Sequence, residues 1–207
     1  MKLVEVAYFS DLLCVWAYIA EARIEQLRAD FGAALDPGGR RLQREGKLTM
    51  QWNEAFRRKV MSADEAVQVI RSGDHVWVHA GCNSPVELTH AMTARAAELE
   101  GVEVTHLMVM GKAEYAAPEH AKSFRHRSVF TGANVREAVA DGRADYVPVF
   151  LSEIPRLISS GLQKVDVALI HVQRCDAYGN AQIDGIQFMD IDLAMAANRV
   201  ILTTERI

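Results

Sequence analysis

FRHRSVFTGANVREAVADGRADYVPVFLSEIP, residues 124–155, reads as strand, tight turn, helix, strand, turn and helix. Ser128 to Phe130 is a short apolar run, and Gly132 permits a sharp turn after it. Asn134 is a good helix N-cap, with Val135, Ala138 and Val139 forming one apolar face at helical spacing. Gly142 follows as a helix stop. Tyr146 to Phe150 is rich in β-formers, and Pro148 within it points to an edge or the end of a strand. Ser152 is placed to cap the next turn, with Pro155 in its first turn. Glu153 reads as a helix-start carboxylate.

Upstream, HVWVHAGCNSPVELTHAMTAR, residues 75–95, repeats the pattern. His75 to Ala80 predicts a strand. Ser84 as N-cap and Pro85 as first residue open a helix in which Leu88, Ala91, Met92 and Arg95 recur at helical spacing. A strand, a glycine-containing loop and a helix start together offer free N–H groups and a helix dipole to an anion, although an ordinary strand-to-helix turn has the same spacing. Before it, Ser62 and Glu65 have capping-box spacing. Val102 to Met108, Val165 to His171 and Val200 to Thr204 read as further strands, and Asp190 to Asn198 as a helix. Strands alternating with helices predict an α/β fold, an open and mostly parallel sheet with flanking helices.

The run at 124–155 resembles the amino-terminal half of the acetyl-CoA hydrolase/transferase family, which includes 4-hydroxybutyrate and butyrate:acetate CoA-transferases. The resemblance covers about 52–172. Residues 173–207, with QRCDAYGNAQIDG and the ending RVILTTERI, are similar to the A subunit of two-subunit glutaconate and 3-oxoacid CoA-transferases of the same superfamily. A third, shorter run at about 3–32, YFSDLLCVWAYIA, resembles thioredoxin-fold oxidoreductases and 2-hydroxychromene-2-carboxylate isomerases. There Cys14 stands at a helix start, where a thiol is activated, but Ala17 replaces the second cysteine of the redox motif. Cys14 is thus either a reactive thiol or a half-buried remnant. The expected organisation is a thioredoxin-like strand and helix at 1–33, a linker at 34–51 broken by Pro37-Gly38-Gly39, and a CoA-transferase-like domain at 52–207. Such a chain would be composite, or chimeric.

The resemblance implies a NagB/RpiA/CoA-transferase-like fold and transfer of CoA from an acyl-CoA to a small carboxylate. Coenzyme A would be a substrate, with no permanently bound cofactor. It places Gly81, Asn83, Ser84 and Pro85, together with Gly132, Ala133 and Asn134, near the acyl-CoA. In the family a glutamate attacks the thioester, and covalent intermediates divide the exchange into feasible steps. That glutamate belongs to the second half of the single-chain enzymes or to the B subunit. Glu87, Glu137, Glu153 and Glu205 do not match its motif. The expectation is therefore an incomplete fold, inactive alone, completed by a B-like subunit or by oligomerisation. The alternatives are a non-catalytic composite or truncated chain, and a Cys14 thiol-dependent oxidoreductase or isomerase.

Composition bounds these readings. The chain has 207 residues, half of them apolar, and a net charge of −4. That allows a sizeable core and argues against nucleic acid or an anionic membrane as partner. No apolar run approaches the roughly 18 residues of a membrane helix. Three widely spaced cysteines suit a reducing cytoplasm, and neither they nor the seven scattered histidines have metal-ligand spacing. His126, between Arg125 and Arg127, is expected to be neutral because two cations disfavour a third. A substrate contact and a structural role both fit it.

Overall fold

The structure is a computed structural model describing the backbone of residues 5–9 and the whole of residues 59–175, 180–184 and 187–205. Eight strands form its main sheet. Six of them are parallel. They are β3 (His75–Val78), β4 (Val102–His106), β5 (Phe124–Ser128), β6 (Ala144–Tyr146), β7 (Val167–Val172) and β10 (Arg199–Thr204). β1 (Glu5–Phe9) runs antiparallel to β10, and β2 (Val60–Met61) runs antiparallel to β1. β8 (Arg174–Cys175) and β9 (Ala181–Gln182) make a small separate hairpin. The open, mostly parallel sheet expected from the alternation of strands and helices is present.

Both faces of the sheet are buried, as parallel sheets require. On β7 the side chains alternate: Val167 and Leu169 join one core, and Ala168, Ile170 and Val172 join the other. The first core is closed by α1 (Ala63–Ala66) and α2 (Val86–Ala94), through Ala66, Leu88, Ala91 and Met92. The second is closed by α4 (Ile154–Ser159) and α5 (Asp190–Ala196), through Ile154, Ile158 and Leu193. α3 (Arg136–Ala140) connects β5 to β6. Among the described residues, no helix is long and apolar enough to cross a membrane.

Several local expectations hold. Ser62 and Glu65 form the full capping box of α1. Pro155 lies in the first turn of α4, and Glu153, its N-cap residue, accepts the Phe150 N–H at 2.8 Å. β6 is an edge strand, as Pro148 suggested, although it ends at Tyr146.

Others are corrected. The strand near Gly132 is Phe124–Ser128, earlier than the apolar run at Ser128 to Phe130. It was obscured because His126 occupies an inward position usually held by an apolar residue. Ser84 and Asn134 cap no helix. α2 starts at Val86 after Pro85, α3 starts at Arg136 after Val135, and neither has a side-chain cap. Ser152 gives way to Glu153 at the start of α4. Residues 10–58, which include Cys14, the rest of the thioredoxin-like run and the Pro37-Gly38-Gly39 linker, lie outside the described residues.

Candidate functional site

The order of the parallel strands, β10-β7-β3-β4-β5-β6, positions the site. After β3 the chain moves to β4 on one side. After β7 it moves to β10 on the other. The loops leaving the carboxyl ends of β3 and β7 therefore diverge, and such a switch point opens a crevice where open α/β sheets bind ligands.

The loop after β3 carries four of the predicted residues. Gly81 has φ 64, and its N–H donates to the Met108 carbonyl at 2.7 Å. A side chain at Gly81 would collide with Phe188, since a Cβ would lie 2.9 Å from the ring carbon Cε2. Ser84 closes the turn: its hydroxyl donates to the Gly81 carbonyl at 2.6 Å and accepts the Met110 N–H at 2.9 Å. Asn83 is buried, and its Oδ1 accepts from Gln173 Nε2 at 2.9 Å. Gln173 in turn accepts the Asp184 N–H at 2.8 Å. Pro85 is buried at the start of α2. The loop is thus tied to the segment after β4 on one side and to the segment after β7 on the other. Its crest, Cys82, is exposed.

The loop after β5 carries the other three. Asn134 Nδ2 donates to the carbonyls of Val109 at 3.1 Å and Gly111 at 3.0 Å. Gly132 is not in the left-handed region, so no turn requires a glycine there. An added Cβ at Gly132 would lie 2.9 Å from Asn134 Oδ1, so the end of that side chain would have to shift. Ala133 is exposed. The structure therefore brings both predicted sets to one sheet edge, with residues 108–111 between them as a shared backbone support. Gly81, Ser84 and Asn134 use their polar groups on that support.

Sequence reading missed His79 and Asp190. His79 is fully buried just beyond β3, and its Nε2 lies 2.9 Å from Asp190 Oδ1 at the start of α5. Burial pushes the Asp190 carboxyl up, but the His79 hydrogen bond and charge and the Phe188 N–H outweigh it, leaving its pKa below the usual carboxylate value. An ionised carboxylate only accepts, so the proton between them sits on His79 Nε2. Nearby, His171 donates or accepts at Thr203 Oγ1 over 2.9 Å, and burial is the main cause of its lowered pKa. No local motif signals this cluster, because Asp190 lies 111 residues from His79.

His126 lies in the middle of β5 and is buried. Its Nδ1 lies 2.9 Å from the Val104 carbonyl, and burial pushes its pKa down to about 4. The expected neutrality holds, but not the expected cause. Strand alternation turns Arg125 and Arg127 to the opposite face, where they pair with Asp145 at 2.5 Å and Glu103 at 2.9 Å. A shallow cavity of about 210 Å³ beside α2 is lined by Val86, Glu87, Thr89, His90, Lys112 and Glu114. That is below the roughly 300 Å³ at which pockets begin to enclose a drug-sized ligand.

A model of the acetyl-CoA hydrolase/transferase N-terminal domain matches residues 42–205. The chain belongs to that family. The match begins inside the run read as a linker and includes the resemblance at 52–172. Among relatives of this acetyl-CoA hydrolase/transferase domain, 4-hydroxybutyrate coenzyme A transferase of Clostridium kluyveri is 38% identical over 130 residues, which are 63% of this chain and 30% of that protein. RipA from Yersinia pestis superposes with a TM-score of 0.58 at 23% identity, over 68% of this chain and 35% of that one. Glutaconate coenzyme A-transferase from Acidaminococcus fermentans gives 0.56 at 16% identity, over 71% and 67%. These two likenesses establish the fold. The chain spans less than a third of the length of the first curated relatives it matches.

Proposed function

We propose that this domain is the amino-terminal, CoA-handling part of a CoA-transferase, acting on an acyl-CoA and a small carboxylate. One observation carries the reading: the loops at 81–85 and 132–134 converge on the carboxyl edge of the sheet beside its switch point. The exposed crests, Cys82 and Ala133, meet the acyl-CoA. Gly81, Asn83, Ser84, Pro85, Gly132 and Asn134 hold those crests in shape.

The nucleophile is a glutamate outside residues 1–207, on a further domain or a B-like partner subunit. Its carboxylate attacks the thioester carbonyl and CoA leaves as thiolate, giving a mixed anhydride. The thiolate then attacks the glutamyl carbonyl, releases the first carboxylate and forms a glutamyl-CoA thioester. The same steps in reverse load the acceptor carboxylate. Binding energy from the nucleotide end of CoA positions the reacting end.

The test is calorimetric titration of the purified chain with acetyl-CoA and with free CoA, with melting followed in parallel. Saturable binding and a melting temperature that rises with ligand concentration are expected. Absence of heat, with an unchanged melt, would sink the claim that this chain itself handles CoA.

A further inference from the structure

The crevice contains a chain of contacts that the loop motifs do not account for. It starts at His79, which is 0% exposed. His79 Nε2 binds Asp190 Oδ1 at 2.9 Å, and the same oxygen accepts the Phe188 N–H at 2.6 Å. Between Phe188 and Asp190, Met189 has φ 55, a left-handed conformation unfavourable for a residue with a Cβ. Among the described residues it is the one non-glycine residue with positive φ. The Phe188 ring then lies over Gly81, where an added Cβ would come within 2.9 Å of its Cε2.

Each link has a physical reason to persist. A buried carboxylate without a partner is costly, so Asp190 stays with His79 and the Phe188 N–H. Strained backbone survives only where its surroundings over-determine it, and it concentrates at ligand clamps and active sites. Here Asp190 fixes one side of Met189, and the Phe188 packing fixes the other. The contacts end on the Gly81 turn, whose N–H holds the β4 loop through Met108. His79 and Asp190 come from the two strand–loop units that diverge at the switch point, so their bond spans the crevice floor.

We infer that His79 is a positioning residue for acyl-CoA: acting through Asp190, it seats residues 187–190 against the Gly81 turn and thereby sets the shape of the loop that meets the ligand. The inference rests on the proposed CoA-handling role of that loop. His79 touches no ligand in this arrangement and performs no step of the chemistry.

The experiment uses the full chain and acetyl-CoA, with dissociation constants measured well below each variant's melting temperature. Amide exchange of residues 187–193 is followed by mass spectrometry alongside. For His79→Leu the affinity should fall about tenfold, with faster exchange in that segment, and His79→Gln, which keeps an N–H directed at Asp190, should recover to within about threefold. Phe188→Ala removes the contact from a ring that is only partly buried, and should give the same loss even if His79→Leu does not fold. A purely structural role would lower the melting temperature and leave the dissociation constants unchanged, and that result overturns the inference alone. Failure of the unaltered chain to bind acetyl-CoA would overturn the CoA reading and the inference together.

Discussion

His106 and His126 stack on neighbouring strands, with ring centroids 4.2 Å apart and planes 22° from parallel. Tyr115 completes the group, with its ring 6.0 Å from one and 5.9 Å from the other. Burial, and secondarily the charge of His126, holds His106 well below its ordinary pKa, and burial pushes His126 down to about 4. Both rings are therefore neutral in the folded chain at neutral pH, whereas in the unfolded chain each would take up a proton near pH 6.5.

The sign of the pH dependence follows. Between pH 6.5 and about 4 the unfolded state binds more protons than the folded state, so stability rises with pH across that window. The contribution of His126 is complete above pH 6.5 and is lost as pH falls towards 4, with a ceiling on the order of 3 kcal/mol. Urea unfolding at a series of pH values should show this slope. His126→Phe should reduce it, leaving the part that His106 supplies, and an unchanged slope would place the titrating group elsewhere.

Ser84→Ala should destabilise the domain by about 1–2 kcal/mol, because it leaves the Met110 N–H and the Gly81 carbonyl without the hydroxyl that joins them. A helix cap would cost a similar amount, so location discriminates. Amide exchange should quicken at residues 108–111, and α2 should keep its protection.

Gly132→Ala pushes its new methyl group into the Asn134 amide, and Asn134→Ala removes that amide. Each should cost about 1 kcal/mol, and the double variant should cost less than the sum, because both disrupt one connection to Val109 and Gly111. Chemical denaturation of the four proteins closes the cycle. Additivity would mean that the two residues act separately.

Arg95→Met should cost about 2 kcal/mol despite keeping an apolar stem at that position. The guanidinium donates to the carbonyls of Val67 and Ile70, which end the helical segment beginning at Ser62, and also pairs with Glu98 at 3.1 Å. Thermal melts of Arg95→Met and Arg95→Lys would rank the fork against a point charge. Equal stability of all three proteins would show that the carbonyls find other partners.

Iodoacetamide should label Cys82 in the native state, and Cys175 only after unfolding, because one is exposed and the other buried. Acetyl-CoA should slow labelling of Cys82 if the crest of the 81–85 loop meets the ligand. Peptide mapping by mass spectrometry reads both rates. A Cys82 rate unaffected by saturating ligand would place binding elsewhere.

By itself the sequence determined what depends on near neighbours and on pattern. Ser62 and Glu65 are three residues apart, so the capping box follows from local geometry. The long apolar strand at Val167–Val172 and the alternation of strands with helices were sufficient for an open, mostly parallel sheet. The run at 124–155 was sufficient for the family. The tertiary structure alone decided where side chains spend their hydrogen bonds. Ser84 and Asn134 have the chemistry of caps, yet backbone groups about 25 residues away on the neighbouring loop hold them instead. His126 looked like a histidine between two repelling arginines, and the pleat sends those arginines to the other face. His79 and Asp190 meet only because β7 and β3 are neighbours in the sheet, and strand order is set by packing of the whole chain.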